Sequence, residues 1–241
     1  MSISLSNRVQ SIKPSQTLAI TARAKELRAQ GLDIIGLGAG EPDFDTPDNI
    51  KEAAIQAIRD GFTKYTAVDG TPGLKQAVID KFKRDNDLDY EMNHILVSVG
   101  GKQTSFNLLQ ALINPGDEVI IPAPYWVSYP DMTLLAEGVP VLVSAGIEQA
   151  SKISPEQLED AITDRTRLIF INSPSNPTGA VYSREELAAL GQVLKKYPNI
   201  LIATDDMYEH ILWTDSPFVL SLIHISEPTR RRDSSRMPSS A

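Results

Sequence analysis

The chain has 241 residues, 41% of them hydrophobic, which is enough to bury a sizeable core and excludes a disordered chain or a fold held by metal or disulfide staples. Twenty-three Lys and Arg against 31 Asp and Glu give a formal charge of −8, which argues against a nucleic-acid partner and leaves room only for local basic pockets. With no Cys and 3 His, thiolate chemistry is excluded and a histidine-rich metal site is not expected. No apolar run reaches the ~18 residues of a membrane span. The start, MSISLSNRVQSIKPS, lacks a charged segment followed by an apolar core and is not expected to be a signal peptide. The expectation is a soluble cytoplasmic protein with no membrane partner.

The first helix is expected after Ser15 as its cap, with Leu18, Ala22 and Leu27 among its core positions and Gly31 as its stop. A short apolar run, Ile34 to Leu37, leads into the loop Gly38 to Asp45. Thr46-Pro47 opens a second helix, because proline loses nothing at the first helical position. Ile50, Ala53, Ala54, Ala57 and Ile58 mark its apolar face. Thr71-Pro72 opens a third in the same way, with Leu74, Val78 and Phe82 inward.

Beyond it, strand-length apolar runs occur at Ile95–Val99, Glu118–Ile121, Val139–Val143, Leu168–Ile171 and Ile200–Ala203. Helical segments at Lys102–Ile113, Ser128–Glu137, Pro155–Ile162 and Arg184–Lys196 alternate with them. Runs apolar on both faces, alternating with helices, predict an α/β fold: a parallel-rich sheet with helices on both faces. Ligands on such sheets sit beyond the C-terminal strand ends.

Four of those ends carry candidate chemistry. Gly100-Gly101-Lys102 joins a strand run to a helix, as a tight turn or as a cradle of backbone N–H groups for an anion. Trp126 follows the next strand; taken alone it is more often a core aromatic than a platform for a flat ring. Asn176 sits in the loop SPSNPTG, either a plain turn or a constrained binding loop. Asp205 closes the last strand, where an acid needs a cation or metal, whereas Asp206 reads as a helix cap. The segment GLGAGE fails as a dinucleotide fingerprint, because Glu41 ends it, Pro42 follows and no helix opens.

KPSQTLAI, GAGEPDFDTP, KYTAVDGTPGLK, VSVGGKQ, PGDEVIIPAPYWVSYP, INSPSNPTGAVYS and ATDDMYEH occur in that order up to Trp213. Together they resemble the fold-type-I pyridoxal-phosphate aminotransferases, in particular the bacterial aspartate aminotransferase subgroup. The resemblance implies transfer of an amino group between an amino acid, aspartate first, and a 2-oxo acid, 2-oxoglutarate, through pyridoxal 5'-phosphate. Aromatic and other amino acids are the alternative substrates. It assigns Asp205 to the cofactor's ring nitrogen, Tyr208 and Asn176 to its ring hydroxyl oxygen, and Trp126 to stacking. Gly100, Gly101 and Lys102 fall to the phosphate turn, with Tyr65 reaching the phosphate of a partner subunit in a homodimer. Gly40, Asn176 and Trp126 would meet the substrate, with Ser15, Thr17 and Lys102 at its distal carboxylate.

The family's cofactor-anchoring lysine lies beyond the Asp-x-x-Tyr motif. No lysine follows Tyr208 in this sequence, so no residue takes that role, and a non-catalytic fragment is the second reading. The ending LSLIHISEPTRRRDSSRMPSSA has no helical or strand period and resembles a translated sequencing-library adapter. The expected organisation is residues 1–45 as the N-terminal part of a small domain, 46–219 as an incomplete large cofactor-binding domain, and 220–241 as a non-native tail.

Overall fold

The computed structural model describes residues 4–12, 14, 16–36, 38, 40, 42, 44–213 and 218–221, without the side chains of 16–18. They form two compact units, Lys13–Ser98 in one and Met1–Ile12 with Val99–Ala241 in the other. Each is described by itself.

Among the described residues, the Lys13–Ser98 unit carries the α-helices α2 (Gln16–Ala29), α3 (Asp48–Arg59) and α4 (Pro72–Asn86). The short α1 (Asn7–Gln10) belongs to the other unit. Helix α3 begins one residue later than expected, with Pro47 at the cap position. Its apolar face is real but uncovered, Ile50 being 54% and Ile58 68% exposed. In α2, Ala22 is exposed and Leu27 half-buried, while the side chain of Leu18 lies outside the described residues.

Helix α4 starts as the sequence requires. Thr71 Oγ1 accepts from Leu74 N and Pro72 takes the first helical position. Its inward face differs from expectation. Leu74 is exposed and Lys75 is buried in its place, because the Lys75 ammonium donates to Asp69 while its aliphatic stem lies beside Gly70. Gly70 has φ +109, and a Cβ there would stand 2.6 Å from Val97 Cγ2, so only glycine allows this approach.

Residues Ile95–Val99 are not a strand. Among the described residues their one ladder-like bond is Val97 N to the Asp69 carbonyl, and Val99 is 88% exposed. An apolar run becomes a strand only where a neighbour takes its N–H and C=O groups.

The other unit is an α/β layer structure. Its strands are β1 (Glu118–Ala123), β2 (Val139–Ser144), β3 (Thr166–Asn172) and β4 (Leu201–Asp205). They form one sheet in the order β2-β1-β3-β4, with every pairing parallel. The helices are α5 (Gly101–Leu112), α6 (Ser128–Leu135), α7 (Pro155–Ala161) and α8 (Arg184–Leu194).

Strand residues alternate between two cores. Val119, Ile121, Leu168 and Phe170 pack with Leu109 of α5 and with Tyr129 and Met132 of α6. Ile120, Ile169 and Ile171 pack on the opposite face with Leu158 of α7 and with Leu187 and Leu190 of α8. This two-sided burial is why the strands read as continuous apolar runs. The parallel pairing aligns the C-terminal ends of β1, β3 and β4 along one edge, where Asn172 and Asp205 pair in register. Val219 and Leu220 pack into this unit as well, and residues 222–241 lie outside the described set.

Candidate active site

Asp205 is the last residue of β4 and half-buried. Tyr129 donates its hydroxyl to Asp205 Oδ2 at 2.6 Å, and Met207 N reaches Oδ1 at 3.4 Å. Asn172, at the end of β3, donates from Nδ2 to the Asp205 carbonyl at 2.8 Å and accepts from Asn176 N at 2.8 Å. Asn172 thus ties the acid's backbone to the SPSNPTG loop.

Asn176 and Tyr208 line one cleft of about 290 Å³, together with Pro174, Ile211 and Trp213. The neighbouring Asp206 does not cap a helix. Its carboxylate accepts from Ser221 N at 3.4 Å and Ser221 Oγ at 3.1 Å. Burial raises the Asp206 pKa above the ordinary carboxylate value.

The start of α5 faces open space. Gly100 caps it with φ +81 and no side-chain bond, and a Cβ on Gly100 or Gly101 would meet nothing within 4 Å. Backbone N–H groups at such a start are free to bind an anion. The Lys102 ammonium lies 5.3 Å from the centroid of the Trp126 ring, which brings this turn to the loop after β1.

Gly100, Gly101, Lys102, Trp126, Asn176, Asp205 and Tyr208 therefore occupy one compact unit. Asp205, Asn176 and Tyr208 group around the ends of β3 and β4, and Lys102 meets Trp126. Gly40 and Tyr65 belong to the other unit; both are exposed, Tyr65 completely. Ser15 and the Thr17 side chain lie outside the described residues. The sequence reading missed Tyr129 and Asn172. The signal for Tyr129 was a hydroxyl-bearing aromatic on the buried face of a helix, one turn after Trp126. For Asn172 it was an amide ending an otherwise apolar strand.

A parallel α/β sheet with its polar groups gathered at the C-terminal edge, beside a glycine-capped helix start, is the large-domain architecture of the fold-type-I transferases. The chain belongs to the aminotransferase class I and II family, whose pattern matches residues 32–229. It is 69% identical over 215 residues to the aspartate/prephenate aminotransferase of Nitrosomonas europaea, covering 89% of this chain and 54% of that protein. It is 61% identical over 214 residues to a probable aspartate/prephenate aminotransferase of Rickettsia felis, covering 89% and 52%.

Among solved structures, the aspartate aminotransferase of Rhizobium meliloti superposes with a TM-score of 0.88 at 47% identity, covering 93% of this chain and 56% of that one. The aspartate aminotransferase of Thermus thermophilus with maleate gives 0.86 at 48% identity, covering 90% and 57%. The chain spans about half the length of the relatives it matches.

Proposed function

We propose that the whole protein moves an amino group between an L-amino acid, aspartate first, and a 2-oxo acid such as 2-oxoglutarate, with pyridoxal 5'-phosphate as cofactor and as a homodimer. The observation that carries this reading is the Asp205 carboxylate at the sheet edge, with a committed donor on one oxygen and only a long contact on the other. A protonated ring nitrogen fits the second oxygen, since each charge lowers the burial cost of the other.

The rest of the donor set suits the same group. The open start of α5, Gly100 to Lys102, offers N–H groups to a phosphate. Trp126 supplies a flat apolar surface, and Asn176 with Tyr208 supplies donors on one cleft. When bound, the cofactor supplies an electron sink for charge developing at the amino acid's α carbon. Asp205 would hold the ring nitrogen protonated and Trp126 would lie against the ring, while Gly40 and Asn176 are each assigned to the substrate's α-carboxylate. Tyr65, fully exposed, is free to reach a partner subunit's phosphate.

Lys102, with Ser15 and Thr17, is assigned to the distal carboxylate of a dicarboxylic substrate. Relatives named for aspartate and prephenate, and a solved relative with maleate, support that class of substrate. The cation–π contact of Lys102 on Trp126 is worth only about 0.5–1 kcal/mol at an exposed site, so a carboxylate can draw the ammonium away. The 241-residue chain has no lysine after Tyr208, and for it the second reading is a non-catalytic fragment with at most weak cofactor binding.

The test uses the complete reading frame of the genomic locus. It should transaminate aspartate with 2-oxoglutarate. Asp205→Ala should lower kcat by roughly 10²-fold or more, the scale of losing a charge-stabilising group. Near-normal turnover in that variant would remove Asp205 from its role. Lys102→Ala should reduce kcat/KM on dicarboxylic substrates more than on neutral ones, and equal losses on both would remove Lys102 from specificity.

A further inference from the structure

Tyr129 connects two of the candidate cofactor groups. Its ring is 2% exposed and stacks on Phe170 of β3, with centroids 4.5 Å apart and planes inclined by 16°. The same ring meets Trp126 edge-on at 5.3 Å and 87°. Its hydroxyl reaches Asp205 across 76 residues of chain.

We propose that Tyr129 is the positioning residue of this site, holding the Asp205 carboxylate with Oδ1 as the oxygen that meets a protonated nitrogen heterocycle, and fixing the Trp126 plane relative to it. The proposal rests on reading Asp205 as the partner of the cofactor's ring nitrogen.

The direction of the hydrogen bond is settled by chemistry. Burial, and then the negative charge of Asp205, push the phenol far above the ordinary tyrosine pKa, so it carries its proton wherever the protein is folded. An ionised carboxylate only accepts. Tyr129 is therefore a permanent donor to Oδ2.

The bond is also held in place. Phe170 blocks one face of the phenol and Trp126 meets its edge, so the hydroxyl cannot turn away without unpacking the core beside β1 and β3. Oδ1 keeps acceptor capacity, because Met207 N approaches it only to 3.4 Å. A ring stacked on Trp126 and bonded to Oδ1 would then be fixed in plane and in rotation by one side chain.

The experiment compares the full 241-residue chain with its Tyr129→Phe variant, which keeps the ring contacts and loses the donor. With ¹³C-carboxyl-labelled aspartate, the Asp205 resonance at pH 7 should shift in the variant without ligand. With pyridoxamine 5'-phosphate labelled with ¹⁵N in its ring, which binds without a lysine, the parent chain should show a protonated ring nitrogen. The variant should show a smaller protonated fraction and roughly tenfold weaker binding, the scale of one charged hydrogen bond.

If the phenylalanine variant loses its near-ultraviolet circular dichroism, 3-fluorotyrosine at position 129 replaces it. As a stronger donor of nearly the same shape, it should move the Asp205 resonance the opposite way. An unmoved Asp205 resonance in the folded variants, or an unchanged ring-nitrogen signal, overturns the positioning role. Failure of the parent chain to bind pyridoxamine 5'-phosphate overturns the cofactor reading alone, and the ligand-free Asp205 shift still decides Tyr129.

Discussion

Carboxylates at opposite ends of the sheet are held by different means, and pH separates them. Glu118 opens β1 and is 4% exposed. Thr163 Oγ1 donates to it at 2.5 Å, and Arg165 adds Nε at 3.0 Å and Nη2 at 2.5 Å. The Thr163 hydroxyl first, then Arg165, hold its pKa below the ordinary glutamate value against the opposing effect of burial. Its folded pKa is depressed, so the stability it contributes is present above the ordinary glutamate value of about 4.3 and is lost as pH falls through the folded value. Asp206 has the opposite sign. Burial raises its folded pKa, so its contribution is present below the ordinary aspartate value and lost as pH rises through the raised one. Glu118→Gln should therefore flatten the acid-side loss of stability, measured as urea midpoints from pH 6 to pH 3. An unchanged slope would mean that Glu118 is equally well paired in the unfolded chain. The residue types at the site were legible because acids, amides and tryptophan at strand ends are uncommon. Tyr129 was not, since a tyrosine on an apolar helix face looks like core until its hydroxyl's partner is known.

Three of the helices that start where expected carry their own start chemistry. Thr71, Ser154 and Ser183 each accept a backbone N–H of the first turn, and the latter two complete capping boxes with Gln157 and Glu186. Ser183→Ala should cost about 1 kcal/mol, read from the urea midpoint, because one orphan donor loses its partner. Leu187, fully buried against Ile169 and Ile171, should cost about 2–5 kcal/mol as Leu187→Ala, since the packed layer collapses only partly into the cavity. A loss under ~1 kcal/mol would show that this core is loosely packed. Burial was less legible than helix position. Leu74 is exposed and Lys75 buried because an aspartate six residues earlier in the chain pairs with the ammonium. A helical wheel contains only the helix's own residues, so it cannot rank that partner.

At the scale of the molecule, protection should follow the sheet. β1 lies between β2 and β3 and contains Val119, Ile120 and Ile121, all 0% exposed; β3 is equally flanked. β4 pairs with β3 alone among the described residues, and Ile95–Val99 has no ladder. Hydrogen exchange on the full chain should show slow amides in β1 and β3, faster ones in β4, and the fastest among these in Ile95–Val99. Strong protection in Ile95–Val99 would mean that it finds a strand partner in solution. The wording of the tail from Leu220 carries a separate proposal, that it is not native. Independently amplified genomic DNA should continue past the codon for Val219 into a different sequence that includes a lysine. The same 220–241 coding sequence followed by a native stop would refute it.

The sequence by itself determined the α/β alternation, all four strands of the sheet, the starts of α4, α7 and α8 and the residue types at the strand ends. Each of these follows from neighbours a few positions apart: two-sided apolar runs, capping side chains, prolines at helix starts. Tertiary structure decided what depends on distant partners. It left Ile95–Val99 without a strand partner among the described residues, turned Lys75 inward, gave Asp206 to Ser221 and set Asp205 beside Tyr129. In the last three cases the deciding contact is a hydrogen bond or ion pair whose partner must be brought into place by folding. Strand order is the same kind of quantity. Nothing in the local pattern says that β3 lies between β1 and β4, yet that order brings Asn172 beside Asp205 and builds the edge on which the site stands.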